Sequence, residues 1–249
     1  MHFWIYPLLA LAGFVTGFVN TLAGSGSVVT LFVLNLAGLP LDIANATTRV
    51  GIVMQTATAT LRFRKQGRLT IRPYIGMILP VAVGGILGAL LAEQVTAEIL
   101  RRSIGICMLV ILALLFVKPD RWLQGDSTGL RNHPGPLQVG AFFLVGLYGG
   151  YVQVAVGVFM LTTLVLAVGF DLVRGNAVKV MLVFCIACPS LTVFALRGMV
   201  RWDLGLTMAF GSMLGAWAAT YEAAKRGAPF IRILLIVVVV VSAVRYLFF

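Results

Sequence analysis

Two basic residues lie inside apolar stretches of the chain. Arg49 ends the sequence N-A-T-T-R and Lys179 ends N-A-V-K. A charge within a membrane span costs at least ~2.5–3.5 kcal/mol on insertion scales, so it marks a functional site by default. Facing a cavity, Arg would offer an anion a planar, bidentate fork and Lys a compact charge. We predict that they bind an anionic solute; the alternative is that each side chain snorkels to the membrane interface.

A polar, glycine-containing stretch precedes each of these two residues. The first reads G-F-V-N-T-L-A-G-S-G-S-V and the second G-L-Y-G-G-Y-V-Q-V-A-V-G. Non-helical backbone at membrane depth is tolerated only where protein buries it or a wet cavity receives it. Both stretches therefore predict broken or re-entrant helices, whose N-terminal ends expose unpaired N–H groups to an anion.

The predicted solute-binding residues come from these two stretches and from the runs that follow them. Asn45 and Asn176 begin the Asn-Ala pairs, and for them we favour helix capping or loop bracing. We place Ser25 and Ser27 near the solute, and for Asn20, Tyr151 and Gln153 site lining and interhelical bonding are equal alternatives. The full set is Asn20, Ser25, Gly26, Ser27, Asn45, Arg49, Tyr151, Gln153, Gly157, Asn176 and Lys179.

The composition is that of a polytopic membrane protein. Of the 249 residues 60% are hydrophobic and 11% are charged, whereas a soluble domain has ~45–50% and ~25%. The net charge of +11 is explained by Lys and Arg in cytoplasmic loops facing anionic lipid, so we expect no nucleic-acid partner. The N-terminal residues show no basic region and no small-residue cleavage site, so we expect no cleaved signal peptide.

Apolar runs long enough to span a membrane occur three times in each half of the chain. They cover about 45–62, 73–92 and 99–117, then 176–196, 203–223 and 230–249. A pair of less regular segments precedes each trio, at 3–23 and 28–39 and at 137–150 and 152–169. Short, glycine-interrupted segments at corresponding positions of two halves indicate a transporter's binding site.

The two halves align without gaps at an offset of 131 residues. Gly26 matches Gly157, Asn45-Ala46 matches Asn176-Ala177, and Gly84 matches Gly215. We predict an all-α protein with a first transmembrane repeat at 1–117, a cytoplasmic connecting loop at 118–136 and a second repeat at 137–249. Each repeat has a broken or re-entrant helix pair and three long helices. The distribution of Lys and Arg slightly favours inverted repeats, which places both termini outside the cytoplasm.

The motifs resemble those of the sulfite exporter TauE/SafE family. They are A-G-S-G-S-V and G-L-P-L-D-I-A-N-A in the first half, and G-F-D-L-V-R-G-N-A-V-K and R-G-M-V-R-W-D-L-G-L in the second. The resemblance covers the chain from about Leu9 to Phe248. It implies a multi-pass protein of the bacterial inner membrane that moves small organosulfur or sulfur-oxyanion solutes, often outward.

Together these features predict a transporter and not an enzyme. Its solute would be a small anion such as sulfite or sulfoacetate, exported by alternating access between the two repeats. We expect no cofactor and no metal, contact with membrane lipids, and a homodimer as a possible assembly. The alternatives are a channel for anions or small molecules, and an intramembrane thiol or redox protein that uses Cys185 and Cys188. That cysteine pair, without a second pair or histidines, is a weak metal pattern.

Overall fold

The computed structural model describes residues 4–96, 98–100, 102–103, 106, 135–223 and 225, and their regular structure is helical throughout. Seven helices have both ends within these residues. They are α1 (Ile5–Leu22), α2 (Ser27–Leu36), α3 (Leu41–Lys65), α4 (Ile75–Glu93), α5 (Pro136–Tyr151), α6 (Val156–Thr162) and α7 (Leu172–Leu196). A 3-10 turn at Arg72–Tyr74 leads into α4, and a π-helix at Thr163–Ala167 continues α6. A further helix, α8, covers residues 202–223.

Three stretches of the described chain are long and apolar enough to cross a membrane: Ile5–Leu22, Arg72–Glu93 and Leu172–Leu196. The helices α2 and α6 are shorter, with 10 and 7 residues. For the described residues, this confirms a helical membrane protein that contains both long helices and short ones. The spans predicted at 99–117 and 230–249, and the connecting loop at 118–136, lie almost wholly outside the described residues.

Both predicted helix breaks are present. The chain leaves α1 at Ala23 and enters α2 at Ser27, with Gly24 in the left-handed region at φ 88°. It leaves α5 at Val152 and enters α6 after Ala155, which has φ 57°. Glycine adopts this conformation without a steric cost, whereas an L-residue pays roughly 1–2 kcal/mol for it. Each short helix lies close to the helix before it, as the Thr16–Gly26 hydrogen bond and the contact between the Tyr148 and Phe159 rings show.

The starts of two long helices differ from the sequence expectation. The sequence pattern places Asn45 and Asn176 where helices begin, but α3 begins at Leu41 and α7 at Leu172. The carboxylate of Asp171 caps α7 by accepting the N–H groups of residues 173 and 174, each at 2.9 Å. Because the cap lies upstream, both asparagines sit one turn inside their helices and neither is a helix cap.

Glycines set four residues apart bring two pairs of helices into backbone contact. On α4 and α5, a Cβ atom added to Gly88 would lie 1.9 Å from the Leu147 carbonyl oxygen, and one on Gly150 would lie 2.1 Å from that of Gly85. On α1 and α8, a Cβ on Gly17 would lie 2.1 Å from the Ser212 oxygen. Small residues at this spacing let membrane helices pack backbone to backbone. The glycines concerned are Gly84, Gly88, Gly146 and Gly150 in the first pair and Gly13, Gly17, Gly211 and Gly215 in the second.

The contacts between helices also give their directions. Three helix pairs run parallel: α4 with α5, α1 with α8, and α3 with α8. In each pair, residues further along one helix contact residues further along the other. In contrast, Arg49 near the start of α3 contacts Phe194 near the end of α7, and Gln55 further along α3 shares a cavity with Val180 early in α7. The helices α3 and α7 are therefore antiparallel. From the start to the end of α4, Tyr74, Gly85 and Glu93 contact Arg174, Ser190 and Arg197 at the start, middle and end of α7, so these two helices are parallel. It follows that α1, α3 and α8 run one way and α4, α5 and α7 the other.

The 131-residue offset recurs in the fold. Adding 131 to the first and last residue numbers of α3 gives those of α7. The described residues with positive φ are Gly24, Gly38, Gly67, Ala155, Gly169 and Gly198. The same addition converts the first three into the last three. Equivalent turns of the two halves thus share an unusual backbone conformation at the same positions.

Candidate functional site

The two helix breaks meet in the interior of the protein. The backbone N–H of Gly157 donates to the carbonyl oxygen of Gly24 at 3.2 Å. A Cβ atom on either residue would lie 2.4 Å from backbone atoms of the other. Only glycine fits at such a distance, so the two residues define the point where the first helix pair touches the second.

A small polar cavity lies beside this contact. Its lining comes from both breaks and from the middle of α3 and α7: Asn20, Gly24, Gln55, Thr56, Gln153, Gly157, Lys179, Val180 and Val183. Measured as the space that the centre of a water molecule can occupy, the cavity volume is about 10 Å³. This is roughly the volume that one water requires. The cavity therefore has room for about one water molecule, and a larger solute would need its lining residues to move apart.

Lys179 reaches this cavity from α7 and is 1% exposed. Its Nζ atom donates to the carbonyl oxygens of Asn20 at 3.0 Å and Thr21 at 3.1 Å. Both oxygens belong to the last turn of α1, where helix carbonyls lack intrahelical partners and carry partial negative charge. Two of the three ammonium N–H groups thus hold the broken end of α1, and the third has no such acceptor among the described residues.

Arg49 makes the corresponding contacts from α3 and is 0% exposed. Its guanidinium donates to the carbonyl oxygens of Gly149 and Gly150, the latter at 2.7 Å, and to the side-chain oxygen of Gln153. The Phe194 ring lies with its centroid 5.4 Å from the guanidinium carbon. The Nε atom has no hydrogen-bond partner among the described residues. Arg49 therefore holds the broken end of α5, as Lys179 holds that of α1.

Each cation thus satisfies the helix end of the opposite half of the chain. Neither side chain reaches the protein surface, so the snorkelling alternative is wrong for both. None of the acidic residues that the structure describes is buried, and the ion pairs found there join exposed or half-buried groups such as Arg197 and Glu93. Burying an ion costs several kcal/mol unless its charge is compensated. Inside the described chain, no carboxylate compensates the two buried basic side chains.

The side chains of three predicted residues, Asn20, Ser27 and Asn45, hold the two breaks in place. The backbone N–H of Ser27 donates to Asn20 Oδ1 at 3.3 Å, and Ser27 Oγ donates to the Gln153 carbonyl at 3.1 Å. Asn45 donates to the Tyr151 carbonyl at 3.0 Å and accepts the Gln153 N–H at 3.4 Å. Asn45 therefore braces the second break, and its contact with a solute stays a prediction. Ser27 links the first break to the second.

The remaining predicted residues do not line the cavity. Gly26 precedes α2 and its carbonyl accepts the Thr16 hydroxyl at 2.9 Å. Tyr151 ends α5, and its hydroxyl lies 3.1 Å from Ser103 Oγ. Ser25 and Asn176 are 1% exposed, and their side-chain polar atoms have no hydrogen-bond partners within the described chain. Whether any of these residues contacts a solute stays a prediction.

The predicted set omits three of the cavity's polar or glycine positions. Gln55 and Thr56 face it from α3, and Gly24 faces it from the first break. Thr56 lines the cavity, and its hydroxyl also donates to the Ile52 carbonyl at 2.6 Å, one turn earlier in the same helix. Gln55 lies six residues after Arg49, and this spacing alone does not reveal that its side chain faces a cavity. Gly24 is detectable from the sequence because it lies in the polar, glycine-containing stretch that predicts the first break.

The cysteines that suggested a thiol function lie elsewhere. Cys185 and Cys188 are half-buried on α7 and form no disulfide. Neither lines the cavity. The third cysteine, Cys107, lies outside the described residues. The position of the pair gives the thiol alternative no support.

Comparison with known proteins finds relatives that are named as probable membrane transporters. A protein called probable membrane transporter protein ORF9 from Sinorhizobium sp. is 29% identical over 99% of this chain and 94% of its own length. The probable membrane transporter protein YfcA of Escherichia coli K12 is 27% identical over 99% and 92%, respectively. A probable membrane transporter protein of Haemophilus influenzae is 25% identical over 94% and 91%.

A family model described as sulfite exporter TauE/SafE matches residues 9–246, almost the whole chain. This range includes both helix breaks, both buried cations and every residue that lines the cavity. The resemblance inferred from the sequence motifs is therefore confirmed. The chain belongs to the sulfite exporter TauE/SafE family of membrane transporters.

Proposed function

We propose that this protein exports a small anion, a sulfur oxyanion or organosulfonate such as sulfite or sulfoacetate, across the bacterial inner membrane. The anion would bind in the cavity between the two helix breaks. The sulfite exporter description of the family supports the solute class. The chemistry of the cavity supports an anion independently of that description.

One observation carries the proposal: Arg49 and Lys179 are fully buried, and no acidic residue of the described chain is buried with them. The helix ends do not compensate their charge. The ends of α1 and α5 bring about half a negative charge each, and the starts of α2 and α6 bring about half a positive charge each. These partial charges cancel in sum, so they do not neutralise the two formal charges, which favour an anion in the cavity.

We further propose that the two halves form an inverted repeat that alternates access to this cavity. The offset relates α1 to α5, α3 to α7 and α4 to α8, and the members of each pair run in opposite directions. An inverted repeat with a site between its broken helices is the arrangement of many secondary transporters. Movement of one helix pair away from the other at Gly24 and Gly157 would open the cavity.

The test is anion transport by purified protein in liposomes. Lys179→Gln removes the charge that lines the cavity, and we expect sulfite uptake to fall at least tenfold. Lys65→Gln is the matched control because Lys65 is exposed at the end of α3; its rate should equal that of the parent.

The folded state of each variant is checked by thermal unfolding and gel filtration before transport is measured. If Lys179→Gln does not fold, Lys179→Arg keeps a cation with donors for the α1 carbonyls and should retain part of the transport. A folded Lys179→Gln protein that transports sulfite at the parent's rate would show that the buried charge is not used by the solute.

A further inference from the structure

Two amide side chains of the cavity have fixed orientations. The Asn20 Oδ1 atom accepts the backbone N–H of Ser27 at 3.3 Å, and the Gln153 Oε1 atom accepts a guanidinium N–H of Arg49. Backbone N–H and guanidinium groups can only donate hydrogen bonds. The oxygen of each amide must therefore face its donor, and the NH₂ group must point away from it.

The two residues that carry these NH₂ groups line the cavity. Asn20 and Gln153 both line it, and they are 8% and 4% exposed. Within the described chain, the hydrogen bonds of their side chains involve only the oxygens. Beside them, Lys179 Nζ has two carbonyl acceptors for its three N–H groups. The cavity thus presents three groups that donate hydrogen bonds, from Asn20, Gln153 and Lys179.

Arg49 has a different position from these donors. It does not line the cavity, because its guanidinium is occupied by two carbonyls at the end of α5 and by the Gln153 oxygen. Gln55 offers a useful contrast. It lines the cavity, but its Oε1 atom has no partner in the part of the chain that the structure describes, so nothing fixes which end of its amide faces inward.

We propose that Gln153 is a specificity-determining hydrogen-bond donor to the anion, and that Arg49 is the positioning residue that turns the Gln153 NH₂ group toward the cavity. This proposal rests on the proposed function and gives the two buried cations different roles. Lys179 contacts the anion, whereas Arg49 acts through Gln153. The ligand is a small oxyanion, whose oxygens accept hydrogen bonds from the N–H groups of Asn20, Gln153 and Lys179.

The first experiment measures sulfite binding by the detergent-purified full chain, as a titration followed by calorimetry. Gln153→Met removes the donor without adding charge, and the dissociation constant for sulfite should rise at least tenfold. Gln94→Met makes the same change at an exposed position after α4 and should bind like the parent. Gln153→Glu keeps the acceptor for Arg49 but replaces the NH₂ group by an oxygen. We expect it to unfold at or above the parent's temperature and to bind sulfite more weakly still.

A second experiment separates contact from positioning through a double-mutant cycle. Arg49→Gln should weaken sulfite binding in the parent and cause no further loss in the Gln153→Met background, because its effect passes through Gln153. Additive losses would show that Arg49 contacts the anion itself and would overturn its positioning role. If Arg49→Gln does not fold, Arg49→Lys serves in the same cycle.

The outcomes distinguish the two proposals. A parent protein that binds none of sulfite, thiosulfate and sulfoacetate would overturn the proposed function, and this inference with it. A parent that binds sulfite, together with a folded Gln153→Met or Gln153→Glu protein that binds it equally well, would leave the proposed function intact and overturn the role of Gln153.

Discussion

At the residue scale, the site depends on charges that also hold helix ends. Arg49 and Lys179 occupy near-equivalent positions of the two halves, yet Lys179 lines the cavity and Arg49 does not. The sequence predicts that both are functional because charge is costly at membrane depth. It does not predict their partners, since Asn20 lies 159 residues before Lys179 and Gly149 lies 100 residues after Arg49.

The contact between the breaks gives a prediction at this scale. Gly24→Ala places a methyl group 2.4 Å from the Gly157 backbone and forces an L-residue into a left-handed conformation. We expect a loss of several kcal/mol in stability and no anion transport, measured by thermal unfolding and liposome uptake. A Gly24→Ala protein as stable as the parent would contradict the close contact.

Ala155→Gly is the matched control, because Ala155 occupies the equivalent position in the second half with φ 57°. Glycine relieves its left-handed conformation but removes a buried methyl group, and the two effects offset each other to within about 1 kcal/mol. The variant should therefore unfold near the parent's temperature and retain transport.

At the element scale, apolar length and glycine placement predict the helices well. The long helices and both breaks lie within a few residues of the expected positions. The apolar pattern places the start of α7 too late because the cap at Asp171 lies upstream of the apolar run. The cavity-facing side of α3 is not predicted because its phase depends on packing against α7. The offset of 131 predicted from the sequence also converts the bounds of α3 into those of α7.

Glycine packing between α4 and α5 gives a prediction at the element scale. Gly146→Ala places a methyl group 2.5 Å from the Val81 carbonyl oxygen, and backbone atoms cannot move aside cheaply. We expect a loss of about 1–3 kcal/mol in the free energy of unfolding. Gly140→Ala, on the same helix with nothing within 4 Å of the added atom, should instead gain roughly 0.5–1 kcal/mol. Equal effects of both substitutions, measured by denaturant unfolding in detergent, would contradict the packing role.

At the scale of the whole molecule, the helix directions carry the argument for inversion. Loop charges favour inversion only slightly, whereas the antiparallel contact between α3 and α7 supports it directly. No sequence pattern reports on helix direction in this way, because direction becomes visible only when contacts between distant segments are known. The predicted solute, its direction of transport and the sidedness of the protein in the membrane stay proposals.

Sidedness is testable at the ends of α3 and α7. Lys65 and Leu196 are the exposed last residues of these helices and are equivalent under the offset. In a protein with its three cysteines replaced by serine, Lys65→Cys and Leu196→Cys should react with a membrane-impermeant maleimide from opposite sides. Intact spheroplasts would therefore label one variant, and the other would react only after lysis. Labelling of both from the same side would exclude inverted repeats.

The exchange of cations between the halves has a consequence for synthesis. Asn20 and Thr21 lie in the last turn of α1, near the start of the chain. Lys179, which donates to their carbonyl oxygens, comes 159 residues after Asn20. At a translation rate of ~5–20 residues per second, Lys179 is synthesised roughly 8–30 s after Asn20. Throughout that interval the first helix pair has entered the bilayer without its cation. The nascent first half is thus a target for membrane chaperones and proteases until the second half arrives to complete it.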